Sequence, residues 1–207
     1  MFALSEREMV LEKLNCDAKA VQKLDTYVSL LNEWQQKMNL VSNSTLPVVW
    51  SRHIWDSAQL SSCLTKTDKT VLDLGSGAGF PALVLACLHA DKTFVLTESD
   101  TKKCTFLQAV IDANGLDNVE IINDRIEKTQ RFQIDVITAR ALASLDKLLA
   151  YALPFISVGT RCVFMKGKKA PEELADARKK FFFDVEQKVS VTSDEGRILI
   201  LSRVRKK

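Results

Sequence analysis

The residues with the clearest chemical potential form a glycine-rich turn after a short apolar stretch. Residues 71–81 read VLDLGSGAGFP, so Asp73 precedes three alternate glycines, Gly75, Gly77 and Gly79, and a proline then begins a helix. Glycine lets a backbone turn sharply and approach a ligand closely, and the N-terminus of the following helix presents unpaired N–H groups. This order of elements predicts a ligand site at the carboxyl end of the strand.

A carboxylate after the next apolar stretch narrows the class of ligand. Glu98 lies 23 positions after Gly75, where a carboxylate can accept hydrogen bonds from both hydroxyls of a ribose. Dinucleotide-binding sequences need glycine at position 80, but this chain has Phe80, which can pack beside a nucleoside. No P-loop pattern for a triphosphate is present. The pattern suits S-adenosylmethionine, with its amino-acid end at the glycine turn and Asp73.

A polar stretch after the third predicted strand offers a position for the adenine ring. Residues 123–127 read NDRIE, so Asp124, Ile126 and the backbone near Glu127 are candidates for contacts with the edge of the base. The alternative is a polar loop with no ligand.

The end of the fourth predicted strand narrows the reaction. Residues 136–144 read VITARALAS. This stretch lacks the polar-Pro-Pro-aromatic motif of enzymes that methylate amines, and it contains neither a carboxylate nor a nucleophilic cysteine. Cys104 and Cys162 are not placed as nucleophiles. With these reactions eliminated, the remaining methyl acceptor is an atom with an exposed lone pair, such as guanine N7. The methyl group would then be transferred directly and in line, without a general base or a covalent intermediate. Arg140 and Lys166, at the ends of adjacent strands, are the candidates for orienting the guanine or its phosphates.

The elements that position these residues are predicted by two different sequence patterns, one in each part of the chain. Residues 1–68 show helical periodicity only, and predict an N-terminal helical extension with helices at residues 5–14, 17–39 and 47–60. In residues 69–207 strands alternate with helices, which predicts an α/β fold with a mostly parallel seven-stranded sheet and an antiparallel C-terminal hairpin. Its strands are expected at residues 71–74, 93–97, 119–122, 134–138, 161–166, 185–191 and 198–204. Its helices are expected at residues 81–88, 101–114 and 144–153, and both parts are expected to form one compact unit.

The charge distribution suggests a polyanionic partner. Lys and Arg number 7 against 8 Asp and Glu in residues 1–68, 9 against 11 in residues 69–160, and 13 against 7 in residues 161–207. Basic runs in this last quarter are what a phosphate backbone would bind, although a solvated surface is the alternative. The candidate RNA-binding residues from these runs are Lys166, Lys168, Lys169, Arg205 and Lys206.

Other features of the composition narrow the class of protein. The five cysteines form no CxxC, and only two histidines are present, so neither a metal site nor a disulfide framework is expected. No apolar run reaches the ~18 residues of a membrane span, and the first ten residues lack a signal core. The sequence therefore predicts a cytoplasmic protein without a membrane partner, and nothing in it suggests an obligate dimer, so a monomer is expected.

Several stretches together resemble one family, the bacterial small-subunit ribosomal RNA methyltransferase G family, also known as glucose-inhibited division protein B. The matching stretches span nearly the whole chain and lie at residues 34–40, 52–57, 73–81, 102–107, 125–127, 138–145 and 166–167. RHIWDS at residues 52–57 and RALASL at residues 140–145 are much more specific than the glycine turn.

The resemblance implies a Rossmann-like class I methyltransferase fold and methyl transfer from S-adenosylmethionine to N7 of guanine 527, in the 530 loop of 16S rRNA. Naked rRNA and the small ribosomal subunit both stay open as the substrate. Cofactor contacts implied by position are Gly75, Phe80, Glu98, Ile126, Glu127 and Arg140. The chain departs from the family pattern at Ser76, Ala78 and Ala82, and Glu98 stands where aspartate is common.

The RHIWDS stretch has two interpretations. Arg52 and Asp56 are four residues apart on a predicted helix, which favours a surface ion pair with a structural role for His53. Alternatively, this helix closes over the methyl-donor pocket, and Arg52 and His53 help to admit RNA.

Two other functions compete with rRNA methylation: a methyltransferase for small molecules or proteins, and an RNA-binding module with a vestigial pocket. The basic last quarter disfavours the first, and Asp73, Glu98 and Arg140 disfavour the second.

Overall fold

Seven strands form one sheet in the computed structural model, which describes residues 4–207. The strands are β1 Thr70–Leu74, β2 Thr93–Thr97, β3 Val119–Ile122, β4 Val136–Arg140, β5 Arg161–Lys166, β6 Phe181–Val189 and β7 Arg197–Lys206. Their order across the sheet is β3-β2-β1-β4-β5-β7-β6. The first five strands pair in parallel, and β7 pairs antiparallel with both β5 and β6. This is the Rossmann-like α/β fold, mostly parallel with an antiparallel C-terminal hairpin, that the sequence predicts.

Helices cover both faces of this sheet. They are α1 Glu6–Leu14, α2 Ala18–Gln35, α3 Asp56–Ala58, α4 Ala82–Leu88, α5 Thr101–Asn114, α6 Leu145–Ala152 and α7 Ala170–Lys180. Helix α1 begins with a capping box between Ser5 and Glu8, in which each side chain bonds the backbone of the other residue. No helix in residues 4–207 is long and apolar enough to cross a membrane.

Helix α7 is the element that the sequence analysis missed. Its signals are ordinary ones: Pro171 in the first turn, Glu172 and Glu173 near the N-terminus, and the basic run 178–180 in the last turn, where cations favour the helix dipole. From the sequence, the basic runs are assigned to a phosphate-binding or a solvated surface, and no helix is predicted here. The predicted sixth strand therefore begins at residue 185, whereas β6 begins at Phe181.

The predicted helix at residues 47–60 is wrong in its form. Residues 43–63, which we call the helical arm, consist of the 3₁₀ turns Asn43–Val48 and Gln59–Cys63 on either side of a π-helical stretch, Trp50–Trp55, and the short α3. The RHIWDS stretch therefore lies on a widened turn and not on a regular α-helix. Wide turns of this kind redirect side chains and are frequent at functional sites.

The hydrophobic core forms two layers, one on each face of the sheet. One layer joins α4 and α5 with the N-terminal helices, and Leu24, Tyr27 and Leu31 of α2 are completely buried in it. The other layer joins α6 and α7 with the opposite face of the strands. The first layer is continuous across residue 68, so the N-terminal helices share a core with the sheet; the division of the chain at residue 68 stays a prediction.

Candidate functional site

The glycine turn after β1 has a backbone that only glycine adopts easily. Gly75, Gly77 and Gly79 have φ of +64°, +57° and +91°. A Cβ at Gly75 would lie 2.6 Å from Leu142 Cδ1, and one at Gly79 would lie 2.5 Å from Leu83 Cδ1. Gly75 and Gly79 are therefore required by both backbone conformation and close packing, whereas Gly77 is required by its backbone conformation alone.

Asp73 lies beneath this turn and has an unused oxygen. Its side chain is 1% exposed, and its Oδ1 accepts a hydrogen bond of 2.7 Å from Thr138 Oγ1. Its Oδ2 is buried without a hydrogen-bond partner. Burial raises the pKa of Asp73 to about 7. A buried acceptor without a donor is costly, so this oxygen fits a cationic group of a ligand, such as an amine.

Glu98 connects the end of β2 to the turn. Its Oε2 accepts a hydrogen bond of 2.9 Å from Gly77 N, and its Oε1 accepts one of 2.8 Å from Asp100 N. Both bonds hold the carboxylate, which is 8% exposed, at the edge of the cavity described next. A carboxylate fixed in this way can accept hydrogen bonds from hydroxyl groups without first having to become ordered.

A cavity of about 570 Å³ lies at the carboxyl ends of β1 and β2. It brings together most residues predicted to bind the cofactor: Gly75, Gly77, Phe80, Glu98, Ile126, Glu127 and Arg140. Asp73 and Gly79 support the turn and do not line the cavity. Sequence reasoning missed the walls formed by Leu40, Val41, Leu142 and Tyr151, since apolar residues carry no motif by which they are recognised.

Arg140 is held at one end of this cavity by four groups, one of which is the Arg52 carbonyl oxygen, 3.4 Å from Nη1. Its guanidinium carbon lies 4.8 Å from the centroid of the Phe80 ring. Its Nη1 lies 3.1 Å from Asp56 Oδ2, and its Nη2 donates a hydrogen bond of 2.8 Å to His53 Nδ1. Three of these contacts come from the helical arm, so the arm fixes the direction of the guanidinium.

His53 is a neutral acceptor in this network. Because its Nδ1 accepts from Arg140, its proton lies on Nε2, which donates over 2.8 Å to Thr45 Oγ1. Burial, followed by the nearby Arg140 charge, lowers the pKa of His53 to about 3. Its ring also stacks on Phe80 with centroids 4.9 Å apart. His53 is thus packed within the protein, and its predicted contact with RNA stays a prediction.

The predicted Arg52–Asp56 ion pair is wrong. Asp56 is 7% exposed and pairs with Arg140, and its Oδ1 accepts hydrogen bonds from Gln59 Nε2 at 3.0 Å and from the Thr192 hydroxyl. The Arg52 side chain is exposed. The i,i+4 rule assumes a regular α-helix, whereas these residues lie where a π-helical stretch turns Asp56 inward.

A second cavity, of about 930 Å³, meets the first at Arg140. The ends of β4 and β5, the helical arm and α7 line it. The walls shared by the two cavities are Leu40, Val41, Arg140, Ala141 and Leu142. Arg140 therefore stands between two adjoining spaces, one beside the glycine turn and one at the open end of the neighbouring strands.

Carboxylates line this second cavity, although the sequence at the end of β4 contains none. Glu172, Glu173 and Asp176 come from α7, the helix that the sequence analysis missed, and Asp56 comes from the helical arm. Glu173 Oε2 lies 2.6 Å from Lys166 Nζ, which also donates to Ala143 O over 2.6 Å. The absence of a carboxylate from residues 136–144 therefore does not mean that the site lacks one.

The candidate RNA-binding residues fall in two places. Arg52, His53, Lys166 and Lys169 line the second cavity, and Lys168 pairs with Glu195 at 3.2 Å near its rim. Arg205 and Lys206 lie at the opposite end of β7, because β7 starts at the cavity and runs away from it. In residues 4–207, no three His, Cys, Asp or Glu side chains are grouped to hold a metal, and all five cysteines are free.

Comparisons with known proteins show which family this chain matches. Residues 20–200 match the family model GidB, described as rRNA small subunit methyltransferase G. Proteins named ribosomal RNA small subunit methyltransferase G are 41% identical over 95% of both chains in Paramagnetospirillum magneticum, and 39% identical over 91% of this chain and 92% of the relative in Rhodospirillum rubrum.

Solved structures support the fold. A SAM-dependent methyltransferase from Aquifex aeolicus has a TM-score of 0.58 at 19% identity and covers 75% of this chain and 93% of its own. A ribosomal protein L11 methylase from Lactobacillus delbrueckii has a TM-score of 0.59 at 18% identity, with coverage of 73% and 78%. M. jannaschii TYW2, solved in complex with AdoMet, has a TM-score of 0.57 at 15% identity, with coverage of 75% and 76%.

Proposed function

This chain belongs to the GidB family of rRNA small subunit methyltransferases, and from this premise we propose that it transfers a methyl group from S-adenosylmethionine to N7 of guanine 527 in the 530 loop of 16S rRNA. The observation that carries the proposal is the pair of cavities that meet at Arg140. Methyl transfer needs a donor site and an acceptor site in contact, so that sulfur, methyl carbon and acceptor atom lie in line.

The first cavity is the proposed donor site. Asp73 lies beneath the wall of this cavity, and its unused Oδ2 attracts the ammonium of the donor. The glycine turn accommodates the amino-acid chain of the donor, and Glu98 accepts hydrogen bonds from its ribose. Ile126 and the backbone near Glu127 contact its adenine. When bound, S-adenosylmethionine supplies an electrophilic methyl group on a positively charged sulfur.

The second cavity is the proposed guanine site. Arg140 donates toward guanine O6, which lies beside N7, and so directs N7 toward the donor cavity. The carboxylates of α7 are acceptors for guanine N1–H and the N2 amine on the opposite edge of the base. Lys166, held by Glu173, adds positive charge for a neighbouring phosphate.

The chemistry at N7 requires alignment more than proton transfer. N7 carries a free lone pair at neutral pH, so no general base is needed. None of the five cysteines lines either cavity within the described chain, so no nucleophile for a covalent intermediate is in place. The Arg140 guanidinium and the Phe80 ring beneath it hold the reacting groups in position.

The carboxylates of the second cavity favour one competing reaction. Glu172 or Asp176 could accept a proton from a guanine nitrogen, which would permit methylation at N1 or N2. The two reactions give different products, because only 7-methylguanine carries a fixed positive charge that makes the strand cleavable after reduction and aniline treatment.

The proposal is tested by methylation in vitro, with 16S rRNA isolated from cells that lack this protein as the substrate. The purified protein, S-adenosylmethionine and either naked 16S rRNA or small subunits are incubated, and the product is mapped by reduction and aniline cleavage. We expect one cleavage at guanine 527 with at least one of the two substrates. A methylated guanine that resists cleavage would assign the competing reaction instead.

Calorimetry separates the enzyme from a vestigial module. Wild-type protein is expected to bind S-adenosylmethionine, and Glu98→Ala to lose most of that binding because Glu98 is the ribose acceptor. Absence of binding by the wild-type protein at millimolar ligand would favour an RNA-binding module whose pocket is unused.

A further inference from the structure

A second group of basic side chains lies far from both cavities, at the outer end of the β6–β7 pair. Arg197, at the start of β7, pairs in register with Lys166 at the second cavity, whereas Arg205 pairs with Phe182 near the start of β6. The eight residue steps from Arg197 to Arg205 correspond to roughly 27 Å of extended strand. We call the following residues the distal corner: Phe182, Arg203, Arg205, Lys206 and Lys207.

The centre of the distal corner is an exposed aromatic ring. Phe181 and Phe183 are 5% and 7% exposed and pack in the core beneath α6 and α7, whereas Phe182 is 48% exposed on the opposite face of the strand. The Arg205 guanidinium carbon lies 5.0 Å from the centroid of the Phe182 ring, and Lys207 Nζ lies 4.9 Å from it. Two cations thus lie over the ring.

The positive charges around this ring are largely uncompensated. Within residues 4–207, no carboxylate lies within ion-pair distance of Arg205, Lys206 or Lys207, and Asp184 is paired with Arg203. Phe182 lies on the edge strand β6 and belongs to neither layer of the core, so packing in the core does not account for it. Cations that surround an accessible ring are typical of surfaces that contact phosphates while a base stacks on the ring.

We propose that the distal corner is a second RNA-binding surface, at which a base of rRNA outside the target loop stacks on Phe182 while Arg205 and Lys207 contact phosphates. This proposal rests on the proposed function, because that function makes rRNA the partner. The distance from the cavities means that a separate part of the RNA is bound. Such a contact increases the effective concentration of the substrate without taking part in the methyl transfer.

Kinetics with a long and a short substrate test the proposal. The variant combines Phe182→Ala, Arg205→Ala and Lys207→Ala, all on exposed side chains. For complete 16S rRNA we expect KM to rise roughly tenfold or more, with kcat unchanged. For a hairpin with only the target loop and a short stem, both parameters are expected to match wild type. The slope of log Kd against log salt should fall by about 1.4 to 1.8, for two lost phosphate contacts.

Two further variants separate the surface from general effects. Lys13→Ala with Lys19→Ala removes two positive charges from exposed positions of the N-terminal helices and is expected to behave as wild type. Phe182→Trp preserves a stacking surface and is expected to keep the wild-type KM.

The proposal is overturned if the triple variant binds 16S rRNA with wild-type affinity and salt dependence. Unchanged binding to naked rRNA with weaker binding to small subunits would assign the corner to a protein partner and would also overturn it. If the wild-type protein methylates no guanine, the proposed function fails, but the affinity for 16S rRNA measured by filter binding still decides whether the corner binds RNA.

Discussion

Arg140 is the residue on which most contacts of the site converge. It lies between the two cavities, pairs with Asp56 and donates to His53. We expect Arg140→Ala to lower kcat/KM for methyl transfer at least ~100-fold, by analogy with removal of a positioned charge at a reacting centre. Arg140→Lys should restore little activity, because an ammonium cannot bind Asp56 and His53 in one planar arrangement.

The matched control for this prediction is Arg161→Ala. Arg161 Nη2 lies 2.6 Å from Asp68 Oδ2, its side chain is 24% exposed against 17% for Arg140, and it is remote from both cavities. Both alanine variants leave a buried aspartate without its partner, so both should lower Tm. Only the Arg140 variant should lose activity at a temperature at which both are folded; equal losses would show that stability alone explains the effect.

Asp73 makes a pH-dependent prediction. Its carboxyl has a pKa of about 7 because it is buried, and the neighbouring charges that face it are Arg140 and Glu98. An ionised Asp73 attracts the ammonium of S-adenosylmethionine, so we expect affinity to rise from pH 5.5 to 7.5, with protons released on binding. Calorimetry in buffers of different ionisation enthalpy measures this release. Asp73→Asn should bind more weakly and show little release.

The same pKa has the opposite effect on the stability of the free protein. The folded-state pKa of about 7 lies above the ordinary value of 3.8, so between these values the folded state holds more protons than the unfolded state. The free energy of unfolding should therefore fall as pH rises from about 4 to 7. Urea titrations of wild type and Asp73→Asn check this, and parallel profiles would contradict it.

At the scale of elements, helix α2 supports the glycine turn. Tyr27 of α2 donates a hydrogen bond to Ala78 O and stacks on Phe80 with ring centroids 5.2 Å apart. At Gly79, with φ +91°, an added Cβ would lie 2.8 Å from the Tyr27 hydroxyl oxygen and 2.5 Å from Leu83 Cδ1. The contact between α2 and the turn therefore leaves no room for a side chain.

A pair of alanine substitutions separates crowding from backbone strain. Gly159 has φ +93° but no atom within 4 Å of an added Cβ, so Gly159→Ala should cost only ~1–2 kcal/mol of backbone strain. Gly79→Ala should cost ~1–3 kcal/mol more, because it also overpacks the core, and should weaken binding of S-adenosylmethionine. Denaturant unfolding and calorimetry measure both effects; equal stability losses would contradict the packing argument.

Helix α7 illustrates why elements matter for the site. From the sequence, the end of β4 contains no carboxylate, and this absence supported transfer without a base. The fold brings Glu172, Glu173 and Asp176 to that strand end from another part of the chain. Motifs describe neighbours along the chain, whereas a cavity is lined by segments far apart in sequence, so the elimination argument could not include these residues.

For the whole molecule, the shared core predicts cooperative unfolding. All three tryptophans, Trp34, Trp50 and Trp55, lie in residues 1–68, and all three pack in or against the layer that contains α4 and α5. Tryptophan fluorescence therefore reports the N-terminal helices, and circular dichroism reports the whole chain. We expect coincident urea transitions by both probes; an earlier fluorescence transition would mean that the helices unfold separately from the sheet.

The sequence by itself determined the order of the seven strands along the chain, the glycine turn and the carboxylates Asp73 and Glu98. These features depend on residues close together in the chain, whose periodicity and backbone freedom decide local structure. The structure decided that Asp56 pairs with Arg140, that α7 supplies carboxylates to the second cavity, and that Arg205 lies far from it. Such relations depend on strand register and on which elements pack together, and neither is encoded in the spacing of any one motif.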